Sequence, residues 1–344
     1  MRTAPIKTIS QLRLECRNGG FPALLHCQID ELTKKESAAG KPFWELRLRD
    51  SGDSLVLRAW AETPAYEDCE ARGRGNAIEI EGEFLINGSF GLDSKRWRLR
   101  DLDAEERVAL LAGSAEAAAN AERDFADVTN MVAAMADPRL LALCQLFLQD
   151  HGERFKRSAA ARNNHHAHRG GLLRHTAQMM RVCVGFCDAY PILNRDLLVA
   201  GTLFHDSGKL WEVCPPESGF DIPRELRGEL LGHISIGIEL VNSLWRKLPL
   251  DEWKSLRPNS EETRLHLLHL IASHHGELEF GSPVQPRTPE AAALHFADNL
   301  DARIEMFSSA YVRQPEVAPG IFERVRPINV YPVKPLATFV PVVE

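Results

Sequence analysis

The sequence predicts a chain of mixed class: a small N-terminal β-barrel of the OB type followed by an all-α helical bundle. Three observations carry this expectation. The first hundred residues alternate apolar and polar side chains with the period of two that half-buried strands require. Beyond Asp103 the chain loses strand character, and to about residue 312 its apolar positions follow helical spacing. Twelve of the 13 histidines lie between His151 and His295, inside that helical stretch. With 344 residues, the chain is long enough for two or three domains.

The barrel begins with ALLHCQIDEL (23–32), followed by the polar loop TKKESAAGK. FWELRLRD (43–50) and SLVLRAW (54–60) flank Ser51-Gly52-Asp53, a hairpin signal. A short polar helix, TPAYEDCEA, precedes AIEIEGEFLI (77–86), a turn at Asn87-Gly88 and a last strand over Lys95–Leu102. Five short strands with a helix between the third and fourth form the OB pattern; another small β-sandwich or roll would share the alternation alone. With Trp44, Leu46 and Leu48 filling the barrel, Phe43, Arg47, Arg49, Arg58 and Trp60 face outward. Aromatic and arginine side chains on adjacent strands are what single-strand binding by OB barrels uses, by stacking bases over a positive groove. Lys95, Arg96, Arg98 and Arg100 add a second basic stretch. The competing reading is a solvated strand face. Residues 1–103 hold 16 Lys+Arg against 17 Asp+Glu, so any positive groove is local.

The Ala/Glu-rich segment 104–136 is expected as a helical linker. Segments 138–150, 171–189, 194–205, 227–247, 261–274 and 289–309 form the helices of a second domain over 137–312. Residues 313–344, rich in Pro and Val, cannot be helical and are expected as an extended arm that could reach a neighbouring subunit, which leaves a homo-oligomer open.

Composition excludes several classes. The net charge of −7 rules out a protein held to nucleic acid by a global positive field. No apolar run approaches the roughly 18–20 residues needed to span a bilayer, so no membrane partner is expected. The N-terminus lacks the apolar core and cleavage site of a secretory signal. The seven cysteines are scattered without a CxxC pair, which fits reduced thiols and a cytoplasmic location. Cys183 and Cys187, one helical turn apart, read as core packing.

The chemistry lies in the histidines. His175 sits early on a helix in GGLLRHTAQMM. His205-Asp206 ends the apolar run LLVAGTLF and precedes Ser207-Gly208-Lys209. His233 lies in ELLGHISIGIELV, His274-His275 closes LLHLIASHHGELEFGSP, and Asp298 sits in ALHFADNLDARIEMF. Each lies on or at the end of a helix whose other faces are apolar, so a bundle turns them to a shared centre. Burying so many imidazoles and carboxylates without partners costs several kcal/mol each. Divalent metal ions are the partners that neutral His nitrogen and Asp oxygen call for. Adjacent His205 and Asp206 can share one ion, with Asp206 able to bridge to a second.

These blocks resemble a known family. The pattern H…HD…D, met by His175, His205-Asp206 and Asp298, is that of the HD-domain metal-dependent phosphohydrolase superfamily, and His233 with His274-His275 resembles its two-metal branch. RGGLLRHT, LFHDSGK, LLGHISIG, SHHGELEFGSP and HFADNLDA, after an OB-like domain, look like the YhaM-type 3′-to-5′ exoribonucleases over residues 5–310. The resemblance implies His175, His205, Asp206, His233, His274, His275 and Asp298 as ligands, with which of the adjacent pair ligates left open. It implies a catalytic, phosphate-contacting Lys209 beside Asp206. Asp301 reads as a carboxylate behind the ligands or a cap. His266, His269 and His295 read as core or supporting residues. In the loop NNHHAHRGG (163–171), Arg169, His166 and His168 are candidates for the substrate entrance.

The implied function is a metal-dependent 3′-to-5′ exoribonuclease on single-stranded RNA, single-stranded DNA also being admitted, with a metal-activated water as nucleophile. Mn is the ion the family implies; Fe, Co and Zn suit the same ligands. The alternative is an HD phosphohydrolase of small nucleotides. Its cyclic-dinucleotide version lacks support, because GELEFGSP follows the HH pair where a GYP motif would stand. A decayed, non-enzymatic binding module is opposed by the complete ligand set.

Overall fold

The computed structural model describes residues 4–88, 90–162, 166–326 and 328–338. A short strand β1 (Ile6–Lys7) and helix α1 (Ile9–Glu15) precede the barrel strands β2 (Phe21–Glu36), β3 (Pro42–Arg49) and β4 (Ser54–Trp60). Helix α2 (Pro64–Glu70) follows, then β5 (Ala77–Asn87) and β6 (Gly91–Asp101). The sheet order is β4-β3-β2-β5-β6, with β1 added in parallel beside β2. The long β2 pairs with β5 through its first half and β3 through its second. A register shift between Ile29 and Glu31 bends it where it passes from one partner to the other. That bend curls the sheet so that β4 lies against β6, and α2 packs over both. This is the OB arrangement, with its helix between the third and fourth barrel strands.

The alternation sorts side chains as anticipated. Leu46, Leu48, Leu55, Leu57, Ile78 and Ile80 are buried inside, with Trp44 half-buried against them. The polar run after residue 32 is strand as far as Glu36. The segment before residue 20 is not anticipated by strand periodicity. It forms α1 because Thr8 and Gln11 close a capping box, and Ile9 and Leu12 then seal one end of the barrel core.

The linker forms α3 (Ala104–Ala112) and α4 (Ala115–Ala133). The bundle comprises α5 (Pro138–Arg157), α6 (Gly171–Ala189), α7 (Arg195–Phe204), α8 (Leu226–Trp245), α9 (Ser260–Ser273) and α10 (Pro289–Arg313). Asp137, Asn194, Asn259 and Thr288 cap α5, α7, α9 and α10 with side-chain acceptors. Phe147 stands edge-on to Phe155 and Phe204 in a core shared by α4 to α10. One helix departs from expectation: Gly232 takes φ 66° inside α8, so the helix breaks and restarts at His233.

The expected extended arm is instead folded back. Residues Glu316–Ala318 (β7) and Ile321–Phe322 (β8) form a hairpin, and Tyr311 donates its hydroxyl to the Val333 carbonyl. Residues 339–344 of the arm lie outside the described residues. The two domains are fastened by ion pairs and hydrogen bonds. Buried Asp53, in the hairpin turn of the barrel, is held by Arg13 of α1 at 2.9 Å and reaches across to Arg313 at the end of α10 at 3.0 Å. Arg17 donates to the carbonyls of Tyr311, Val312 and Gln314 at the end of α10.

Candidate metal centre

Four helices that pack on one another, α6, α7, α9 and α10, bring their polar ends together, and α8 closes the group. His175 lies on the second turn of α6, His205-Asp206 just beyond α7 and His274-His275 just beyond α9, with Asp298 in the body of α10. Ser207–Leu210 form a single 3₁₀ turn carrying Lys209. This turn lies directly on α8: a Cβ at Gly208 would sit 1.9 Å from the His233 carbonyl oxygen. The glycine therefore serves a close approach between elements as well as the turn expected from sequence. The break at Gly232 restarts α8 with His233 turned inward.

Five histidines share one orientation. The Nδ1 of each meets an acceptor: Asp301 for His175 (2.6 Å), Thr202 O for His205 (2.7 Å), Glu212 for His233 (3.0 Å), Ile271 O for His274 (2.7 Å) and Phe280 O for His275 (2.8 Å). In its neutral form each ring, with the proton on Nδ1, offers Nε2 as a lone-pair donor; His175 must first give up the Nε2 proton that Asp298 holds on it. Asp206 divides its two oxygens among them. Oδ2 lies 3.3 Å from His205 Nε2 and 3.7 Å from His175 Nε2; Oδ1 lies 3.5 Å from His233 Nε2 and 3.7 Å from His274 Nε2. His175 Nε2 is also 3.4 Å from Asp298 Oδ1. The rings of His233 and His275 stand 5.1 Å apart, and His233, His274 and His275 present nitrogens within 4.8 Å of one another.

These spacings suit a metal. Ligand atoms about 2.1 Å from a tetrahedral ion stand roughly 3.4 Å from one another. Asp206 Oδ1, His233 Nε2 and His274 Nε2 are buried with no hydrogen-bond partner, each a cost of about 1–3 kcal/mol unless a ligand satisfies it. The charges agree. Burial opposes ionisation of Asp206, yet Lys209, His205 and His233 outweigh it and hold the carboxyl well below its ordinary range. Asp298 is held low against burial by His175, and Asp301 by His166 and His175. Burial likewise opposes charging of His175, but Asp298 and Asp301 lift it to about 10. His274 is pushed down by burial and by His205. Carboxylates held anionic beside lone-pair nitrogens form a donor set for divalent cations.

All seven candidate ligands thus converge, and both members of the His274-His275 pair point inward. Lys209 Nζ joins them, 2.7 Å from Asp206 Oδ2. The loop candidates do not. Arg169 is spent on the carbonyls of Pro216, Gly219 and Glu217, so its guanidinium clamps a loop. His166 is buried and turned to Asp301 at 2.9 Å. His168 bonds the Arg169 carbonyl, and burial lowers its pKa to about 4. All three line a cavity of about 850 Å³ between the barrel, α4 and α10, and none of the seven candidate ligands lines it. His165 lies outside the described residues. His295 supports the His274 carbonyl rather than Asp298, and His269 accepts from the Arg287 amide. Glu212 joins the site unannounced by any motif; its one signal in the sequence is its place a turn beyond Lys209.

On the barrel, Phe43 and Trp60 are cross-strand partners with rings 4.7 Å apart. Phe43 is nearly buried beneath that contact, a correction to its expected outward exposure. Arg47, Arg49 and Arg58 face carboxylates of Glu31, Asp30 and Glu45 at 3.8, 3.3 and 3.1 Å, so their charge is locally offset. Arg58 also stacks over exposed Phe90.

The HD-domain family matches residues 172–303, a span that contains all seven candidate ligands. Three curated relatives are called 3′-5′ exoribonuclease YhaM. That of Bacillus licheniformis is 34% identical over 304 residues, 88% of this chain and 90% of its own. That of Shouchella clausii is 34% identical over 304 residues, covering 88% and 89%. The Bacillus subtilis relative is 33% identical over 300 residues, covering 86% and 89%. A solved OB domain from Thermoplasma acidophilum is 11% identical and covers 29% of this chain and 90% of its own, with a TM-score of 0.22; the barrel assignment rests on the strand order. With relatives 33–34% identical over 86–88% of its length, the chain belongs to the YhaM 3′-5′ exoribonuclease family.

Proposed function

We propose that this protein is a metal-dependent 3′-5′ exoribonuclease that shortens single-stranded RNA, with residues 1–103 gripping the strand and residues 137–312 cutting it. The observation that carries the reading is the array of four Nε2 atoms, of His175, His205, His233 and His274, around an Asp206 carboxylate whose two oxygens face different histidines, with His275 beside His233 and His274. His175, His205 and Asp298 would hold one divalent ion and His233, His274 and His275 a second, with Asp206 between them; Mn is the ion we favour. Such ions lower the pKa of a bound water toward neutrality and polarise a phosphoryl oxygen. The chain's own residues supply the rest. Lys209, fixed by Asp206, places a cation beside the scissile phosphate and offsets the negative charge that develops there. Trp60, with Arg58 and Phe90, offers stacking surfaces for upstream bases. Among the described residues no helix is long and apolar enough to cross a membrane, and seven unpaired cysteines suit a reducing cytoplasm.

The test is an RNA labelled at its 5′ end and incubated with the protein and Mn²⁺. Stepwise shortening from the 3′ end, stopped by a chelator, is expected. Hydrolysis of free nucleotides alone would replace this reading with the small-nucleotide one, and no metal-dependent turnover of either substrate would refute both.

A further inference from the structure

The five inward histidines are braced in two different ways. His205, His274 and His275 rest on neutral backbone carbonyls, whereas His175 and His233 rest on carboxylates, Asp301 and Glu212. The two carboxylate-braced rings face different oxygens of Asp206, His175 toward Oδ2 and His233 toward Oδ1. We propose that Asp301 and Glu212 are positioning residues, one for each half of the metal centre, and that His166 serves the first half by holding Asp301. This rests on the two-ion reading given above.

A carboxylate that accepts Nδ1–H aims the ring, fixes its tautomer and makes Nε2 a better donor than a carbonyl brace does. Each half of the centre therefore has one strengthened ligand. His166 adds to the first. Its ring is fully buried, and its Nε2 reaches Asp301 Oδ2 at 2.9 Å, the same oxygen that His175 Nδ1 meets at 2.6 Å. One carboxylate oxygen thus ties the loop before α6 to the ligand on α6. The backbone of His166 lies at φ 49°, a left-handed conformation that costs a non-glycine residue energy and persists where surrounding contacts impose it. Its carbonyl is held by the Ala160 amide at 3.1 Å. Glu212 comes just after the turn that carries Asp206 and Lys209, so one short segment supplies the carboxylate shared by both histidine groups, a cation and a brace. The two braces differ in exposure, 9% for Asp301 and 31% for Glu212. The first half is accordingly the more rigidly held.

Calorimetric titration of the full chain with Mn²⁺ alone, with bound metal counted on the same samples, tests this. The unsubstituted protein should bind two ions. Asp301→Asn should weaken one by roughly 10–100-fold and Glu212→Gln the other by a similar factor. His166→Phe, which lacks a donor, should follow Asp301→Asn, while His166→Gln, which keeps an N–H, should recover much of the affinity. The urea midpoint of the metal-free Glu212→Gln protein should be unchanged, which separates positioning from folding damage. Both carboxylate variants binding two ions at unsubstituted affinity, or both weakening the same ion, would overturn the proposal. If the unsubstituted protein bound no divalent ion, the metal-centre reading itself would fall and this one with it.

Discussion

Gly208→Ala probes the account through a single methyl group that touches no ligand atom. Built on the present backbone, the new Cβ would lie 1.9 Å from the His233 carbonyl oxygen and 2.7 Å from its Cα, where ordinary contact begins near 3.4 Å. The turn bearing Asp206 and the start of the second part of α8 must therefore separate by about 1.5 Å. That is a large fraction of the 3.5 Å between Asp206 Oδ1 and His233 Nε2. Overpacking of this kind costs about 1–3 kcal/mol of stability, and a misplacement of about 1 Å in a catalytic group costs about 10²-fold in rate. The variant should fold with a lowered urea midpoint, bind Mn²⁺ more weakly and shorten labelled RNA about 100-fold more slowly. Gly185→Ala is the control, because nothing lies within 4 Å of its Cβ. Unsubstituted turnover and metal affinity in Gly208→Ala would refute the claim that the turn and α8 are locked in register for metal binding.

Other outcomes follow from the same geometry. Lys209→Ala removes the cation beside Asp206 and should lower kcat by on the order of 10²-fold with little change in KM, as measured by single-turnover hydrolysis. Trp60→Ala should weaken binding of single-stranded RNA by about 1–3 kcal/mol in a fluorescence titration, while hydrolysis of a dinucleotide is unaffected. The metal-free protein should be most stable near pH 6.5. Burial holds His274 and His275 below their ordinary range, so below pH 6.5 the unfolded chain takes up more protons and stability falls. His175, held up to about 10 by Asp298 and Asp301 against burial, gives stability that is lost as pH rises from 6.5 through 10. Urea midpoints measured in a chelator across this range would contradict the assignment if they rose steadily.

Much of this architecture was legible because periodicity reports burial. The strands of 43–50 and 54–60 and the helix over 171–189 follow directly from which positions are apolar. The convergence of the candidate ligands was legible for a related reason: polar groups at the ends of apolar helices must meet something. What stayed hidden depends on contacts distant in sequence. Glu212 reads as an ordinary surface carboxylate until α8 brings His233 to it. Arg169 reads as a free cation, but loop 216–219 supplies three carbonyls that occupy it. The break at Gly232 was invisible because glycine is tolerated within helical patterns, and its positive φ falls where α8 packs on the 207–210 turn. The arm's fold-back depends on pairing of Ile321 with Val333, which its Pro-rich composition does not reveal.

The central claim is that Asp206, shared between two groups of histidines, organises a metal centre that hydrolyses RNA. Asp206→Asn keeps the shape of the side chain and removes its charge. Turnover of 5′-labelled RNA, metal content and RNA affinity measured on one preparation of this variant test the claim most directly. Loss of bound divalent metal and no shortening of the RNA, with RNA binding retained, are expected. Stepwise shortening at the unsubstituted rate would contradict it.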